Sequence, residues 1–240
     1  MLRAEYRQRG PIPYDVIEAV EFDKPTLQSG EVLLELLAAP INPADVLTLT
    51  GDYGMLPPLP AVGGKEGVAK VVELGPEVDG LPIGQTVLLP PVIGSWATHI
   101  VASAKALTPL PNDADPLQLS MLTVNPATAS LMLSQFVDLQ AGDWVIQNAA
   151  NSGVGNYLIK LAKIRGYKTV NVVRRESLAT ALQQQGADVV VVDGPDLPER
   201  VPRLLIMPIS SLVLMRLGEK QQRIWAAAWG RVRRSSVMVV

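Results

Sequence analysis

The apolar positions along the chain change their period twice. Up to about residue 112 they fall into short β-type runs, EVLLELLA, GVAKVVEL, QTVLLP and ATHIVAS, separated by turn signals such as LQSGE, LGPEVDG and LPIG. This Pro- and Gly-rich texture predicts a small, mostly antiparallel β domain over residues 1–112. From 113 to 202 the period lengthens. DPLQLSMLTVNPATASLMLSQF reads as helical, with Asn125 and Pro126 placed as an N-cap and a first helical residue. DWVIQN then reads as a buried strand, GVGNYLIKLAKIRG as a helix closed by glycine, YKTVNVV as a strand, ESLATALQQQG as a helix and ADVVVVD as another strand. Strand and helix alternating over short connections demand right-handed crossovers and a parallel sheet, so the class is α/β. Residues 203–240 continue neither pattern.

Composition narrows the chemistry more than the fold. The 240 residues are 48% hydrophobic with a mean hydropathy of +0.22, which fits a globular protein with a sizeable core. A formal charge of −2 gives no electrostatic case for nucleic acid or an anionic membrane. There is no cysteine, which removes disulfides, thiolate zinc sites and cysteine nucleophiles together, so no metal is expected. The single histidine, His99, lies in the alternating run WATHIVAS and is expected to point off a strand face. MLRAEYRQRGPIPYD lacks the apolar core of a secretory signal, and its early acid argues against a transit peptide. LLIMPISSLVLM, residues 204–215, is too short to span a bilayer. These features lead to the expectation of a cytoplasmic protein.

The sharpest local signal is QNAANSGVG at 147–155, a polar elbow between a strand-like and a helix-like run. Such an elbow leaves backbone N–H groups facing outward at a helix N-terminus, a site that suits a pyrophosphate. Gly153 and Gly155 let the backbone turn and approach a ligand, Asn151 and Ser152 offer hydrogen-bond donors, and Val154 lies between them. The motif has fewer glycines than G-x-G-x-x-G, and a plain strand–helix turn is the alternative reading of the same residues. About twenty residues on, the next strand ends NVVRRE. A dinucleotide fold commonly has an acid there for a ribose 2′-hydroxyl. Here Arg174 and Arg175 occupy the place; they attract a 2′-phosphate, which a carboxylate would repel. The cofactor expected is NADP(H).

With INPADVLTLTGDYGMLPPLPAVGGKEGVAKVVELG, TVNPATA, QNAANSGVG and NVVRRE in one order, residues 10–202 resemble the medium-chain dehydrogenase/reductase superfamily, and within it the mitochondrial-type trans-2-enoyl thioester reductases. The resemblance implies a GroES-like catalytic domain at 1–112 followed by a Rossmann domain at 113–202, an incomplete one in this chain. It implies reduction of the C2=C3 double bond of a 2-enoyl thioester carried on CoA or acyl carrier protein, and homodimers among full-length relatives. It places the proton-donating tyrosine at Tyr53, in GDYGMLP, and Asn125 near the nicotinamide. Asn42, in INPAD, and Thr128, one turn into the Asn125 helix, are further cofactor contacts. Gly64-Lys65-Glu66 stands where zinc-dependent members have a histidine–glutamate pair, so the zinc branch is excluded. Two alternatives stay open: a zinc-free NADPH quinone oxidoreductase, and a non-catalytic nucleotide-binding remnant.

Residues 203–240 depart from the family. They hold seven Lys/Arg and one acid, whereas residues 1–202 hold 14 and 22. Three of the seven Met and two of the four Trp crowd into this stretch. Read one frame over, LIMPISSLVLMRLGEKQQ permits DNADIKLGLDAVGGEAT and RRSSVMVV permits AVVSYGG, both like the family's continuation. The expectation is a reading-frame slip near Arg203, leaving a three-stranded, open-edged sheet, marginal stability and little or no activity.

Overall fold

The computed structural model describes residues 1–91, 93–204, 212–215 and 237–239. It forms two units, Met1–Val124 and Asn125–Val240. The division falls later than the boundary read after residue 112.

In the first unit, β1 (Leu2–Tyr6) pairs antiparallel with β2 (Ile17–Glu21), and with β4 (Ala61–Val62) on its other side. The second sheet contains β3 (Glu31–Ala38), β5 (Val68–Leu74), β6 (Thr86–Leu88), β7 (His99–Ser103) and β8 (Thr108–Pro109) in the order β7-β3-β5-β6-β8. Every neighbouring pair is antiparallel, as the alternating runs predict. The helices are α1 (Pro43–Thr50) and the single turn α2 (Pro116–Leu119).

Alternate residues of this sheet make its core: Val32 and Leu34 of β3, Ala69 and Val71 of β5, Val87 of β6 and Ile100 of β7 pack together. Leu33, on the opposite face of β3, is also buried, so β3 is covered on both sides. Truncating Leu34, fully buried at the centre, would cost about 2–5 kcal/mol. His99 is half-buried on β7, facing Glu35 across the β3 register, with Nδ1 3.2 Å from Thr98 Oγ1.

The second unit opens with α3 (Asn125–Met132), then β9 (Trp144–Gln147), α4 (Gly153–Ile164), β10 (Lys168–Val173), α5 (Ala179–Gln185), β11 (Val189–Val192) and α6 (Leu197–Leu204). Asn125 is the first residue inside α3 instead of the cap before it, because residues 121–124 already turn. β9, β10 and β11 pair in parallel, as expected. Apart from Lys168, β10 is buried along its whole length, the mark of a central parallel strand.

The sheet does not stop at three strands. β12 (Leu212–Met215) pairs in parallel with β9, and β13 (Val237–Val239) with β12, giving the order β11-β10-β9-β12-β13. This corrects the expected three-stranded open edge. The physical reason is that β9 still offers a free ladder on the side away from β10, and LVLM and VMV are short apolar runs that can use it. Counted within the unit, the order is the 3-2-1-4-5 of a doubly wound sheet, one strand short of the six-stranded form. The remainder of the 203–240 call lies outside the described residues.

Candidate functional site

The elbow between β9 and α4 is built by close packing. A Cβ on Gly155 would sit 2.4 Å from the Ala150 carbonyl oxygen and 2.7 Å from its carbon, so the helix can approach the strand end only without a side chain there. A Cβ on Gly153 would lie 2.8 Å from Asn125 Nδ2. Neither glycine has positive φ; the left-handed residue of the elbow is Ala149, at φ 47°. Ser152 is the N-cap, its Oγ accepting the Gly155 N–H at 3.2 Å. The serine expected to donate outward thus already has one job, and its hydroxyl proton remains for a second. Asn151 is exposed. The Val154 side chain packs into the cluster of Ala129, Leu133 and Leu158, so what it can offer a ligand is its backbone N–H.

Asn125 is therefore brought to the elbow by α3, while Thr128 sits half-buried one turn further along that helix. Asn171 of β10 pairs with Gln147 of β9, so the carboxyl ends of both strands open on the same side of the sheet. Arg174 and Arg175 follow β10 at that end. Both are exposed, and among the described residues neither forms an ion pair. Amides at the start of a twelve-residue helix, and two exposed guanidiniums that form no ion pair among the described residues, are the groups here that could bind an anion.

Beneath the elbow lies a network absent from the sequence reading. Gln147 Nε2 donates to the Gly155 carbonyl at 3.1 Å and to Asn171 Oδ1 at 2.8 Å. Asn171 Nδ2 donates to Thr169 Oγ1 at 2.9 Å and to the Val189 carbonyl at 3.1 Å. Thr169 N–H in turn donates to Asp188 Oδ2 at 2.8 Å. Gln147 and Asn171 are both buried, so this chain of side chains fixes Gly155, the third residue of α4, to two strands. The only hint in the sequence is two amides interrupting apolar strands.

The first unit holds a second group of functional side chains. Asn42 caps α1, with Asp45 Oδ2 accepting the Asn42 N–H at 2.7 Å in return. Asn42 Nδ2 also donates to Glu66 Oε2 at 2.7 Å, and Glu66 Oε1 accepts the Val124 N–H at 2.9 Å. The carboxamide of Asn42 is thereby engaged in structure. Tyr53, half-buried in the loop after α1, carries the Lys65 ammonium 3.2 Å from its ring centroid. Lys65 is delivered by Gly63 and Gly64, which pass against Trp96; a Cβ at either would come 2.4 Å from the indole.

Lys65 and Asp45 share the wall of a cavity of about 380 Å³ together with Tyr6, Leu49, Met55 and Val62. Burial pulls the Lys65 ammonium below the usual lysine range, against the opposing charge of Asp45. Burial raises Asp45 above the usual carboxylate range, opposed by the amides of Asn42 and Lys65 and the Lys65 charge. Burial also raises Tyr6, with Arg9 working the other way. The sequence reading missed Asp45 and gave Lys65 no chemical role; the Asn-x-x-Asp spacing at the start of α1 was the signal for the former.

Comparison with known proteins agrees with this architecture. Residues 28–112 match the alcohol dehydrogenase GroES-like domain. The chain is 40% identical over 214 residues to the mitochondrial enoyl-[acyl-carrier-protein] reductase of Rattus norvegicus, covering 87% of this chain and 57% of the relative. It is 43% identical over 186 residues to that of Homo sapiens, covering 75% and 50%. The chain thus spans about half the length of the curated relatives it matches. In fold it is similar to the 2-enoyl thioester reductase Etr1p/Etr2p heterodimer of Candida tropicalis, with a TM-score of 0.82 and 24% identity over 99% of this chain and 73% of that one. The mitochondrial relatives overturn the cytoplasmic expectation, which rested on an absent leader pattern, and an absence there carries no address. The chain is thus similar in sequence to the mitochondrial enoyl reductases over about half of their length, and its residues 28–112 belong to the alcohol dehydrogenase GroES-like domain.

Proposed function

We propose that the protein is built to reduce the C2=C3 double bond of 2-enoyl thioesters with NADPH. The observation that carries this is the 40% identity to enoyl-[acyl-carrier-protein] reductases, together with a glycine elbow after β9 and, after the neighbouring β10, two guanidiniums that form no ion pair among the described residues. In this reading the amides of 152–155 hold the pyrophosphate, with Asn151 and Ser152 as side-chain donors. Arg174 and Arg175 hold the 2′-phosphate, and Asn125 and Thr128 lie along the nicotinamide half. When bound, NADPH would supply the hydride that Cβ takes up, leaving NADP⁺. The displaced π pair then makes an enolate of the thioester, and Tyr53 gives its hydroxyl proton to Cα and regains one from solvent. The substrate class is an acyl thioester, on CoA or on acyl carrier protein. A solved neighbour, Etr1p, was crystallised with NADP and crotonyl-CoA.

The tail qualifies the activity of this copy. Both described tail strands fall inside the two segments whose shifted reading resembles the family's continuation. We read 203–240 as out of frame, and this copy as weakly active or inactive. Sequencing the gene through the codons for 198–206 tests that; an intact frame in independent isolates removes it. The function itself is tested by titrating NADPH and crotonyl-CoA into this chain and a frame-restored version. No NADPH binding by either, or NADPH oxidation with quinones but not with the enoyl thioester, overturns the reading.

A further inference from the structure

The cavity in the first unit has largely apolar walls, including Leu49, Met55, Leu56 and Val62. Its volume of about 380 Å³ is that of a site for a small organic group. Two charged side chains interrupt those walls, and each keeps one buried atom without a hydrogen-bond partner among the described residues, Oδ1 of Asp45 and Nζ of Lys65. One carboxylate oxygen of Asp45 is engaged by the Asn42 amide. Lys65 Nζ is shut off from solvent and has no hydrogen-bond acceptor among the described residues. Resting on the Tyr53 ring satisfies part of its charge but not its three N–H donors. A buried donor without an acceptor is costly, so an oxygen that reached Nζ through the cavity wall would relieve that cost.

Asp45 decides what kind of oxygen. It forms no ion pair with Lys65 among the described residues, but a full anion entering the cavity would meet its carboxylate in the same wall. A neutral carbonyl is repelled far less by that carboxylate and still accepts from the ammonium. We propose that Lys65 holds the carbonyl oxygen of an aliphatic acyl group lodged in this cavity. The inference rests on the enoyl reductase reading and deepens it. As hydride adds to Cβ, negative charge collects on that oxygen, and the ammonium meets it. Because the ammonium lies on the Tyr53 ring itself, an oxygen bound to Nζ brings the acyl Cα to the phenol that supplies its proton.

The test needs no cofactor. Hexanoyl-pantetheine and S-hexyl-pantetheine, a thioether without the carbonyl oxygen, are titrated into the full chain by calorimetry or NMR. The wild type is expected to bind the thioester roughly tenfold more tightly. In Lys65→Met that preference disappears, and in Lys65→Arg it returns in part. Equal affinity of the wild type for the two compounds, no binding of the thioester, or a preference that survives Lys65→Met overturns the proposal. The wild-type comparison stands even if a variant fails to fold. Carbonyl preference in this chain without NADPH turnover by the frame-restored version would count against the function proposed above; turnover by that version without carbonyl preference would count against the role of Lys65 alone.

Discussion

The carboxamide of Asn125 lies against Gly153, so that a Cβ added there would stand 2.8 Å from Nδ2. Two glycines apart by one residue are thus excluded from bearing side chains by different neighbours, one by a side chain that can swing and the other by backbone that cannot. Gly153→Ala is expected to cost under about 1 kcal/mol once Asn125 rotates, and less still in an Asn125→Ala background. Gly155→Ala, forced into Ala150, is expected to cost about 1–3 kcal/mol and to weaken NADPH binding as the elbow opens. Thermal unfolding and NADPH titration of the three variants check this; equal costs at the two glycines would contradict it.

Arg174 and Arg175 stand exposed at the end of β10, so their effect belongs to ligand choice and not to stability. Arg174→Ala with Arg175→Ala is expected to weaken NADPH binding by roughly tenfold or more and leave NADH binding nearly unchanged. The NADPH advantage also shrinks as salt rises, because exposed charges are screened. Fluorescence titrations with the two nucleotides at low and high salt measure both effects.

Buried amides under the elbow predict a stability cost that the surface does not reveal. Asn171→Ala strips Gln147, Thr169 and the Val189 carbonyl of a partner each. The expected loss is about 1–3 kcal/mol for each polar group left buried without one. Replacing Gln147 and Asn171 together by apolar residues should cost less than the sum of the two single changes. Denaturant melts of the two single variants and the double variant decide this.

Asp45 gives a pH signature whose sign follows from its raised value. A carboxyl raised above its ordinary 3.8 contributes stability in full below that pH and loses it as pH rises through the folded value. Asp45→Asn keeps the shape and an acceptor for the Asn42 amide but removes the titration. The stability of the wild type relative to this variant is therefore expected to fall as pH is raised from about 3.8 toward neutrality. A difference that stays flat, or rises, across that span would show that the carboxyl is not held above its ordinary range.

Tyr53→Phe retains the ring under the Lys65 ammonium and removes only the hydroxyl. In a frame-restored chain it is expected to lower enoyl thioester reduction by roughly 10²–10⁴-fold while sparing NADPH binding and folding. Quinone reduction, which needs no proton at a carbon, should survive. A variant as active as the parent on crotonyl-CoA would remove Tyr53 from the chemistry.

What the sequence by itself determined is what depends on local periodicity and backbone chemistry. The alternating runs from Glu31 to Ser103 set an antiparallel sheet, and the strand–helix alternation from Trp144 to Val192 set a parallel one. The elbow at 147–155 and the arginines after β10 were legible because glycines, polar turn residues and unpaired charges are read at fixed spacing from a strand. Only the tertiary structure decided relations between residues far apart in the chain. It placed Lys65 on Tyr53, joined Asn42 to Glu66, set Gln147 beside Asn171 and paired β12 with β9. Those pairings are fixed by which strand edge is free and which backbones approach closely, and no one-dimensional pattern records either.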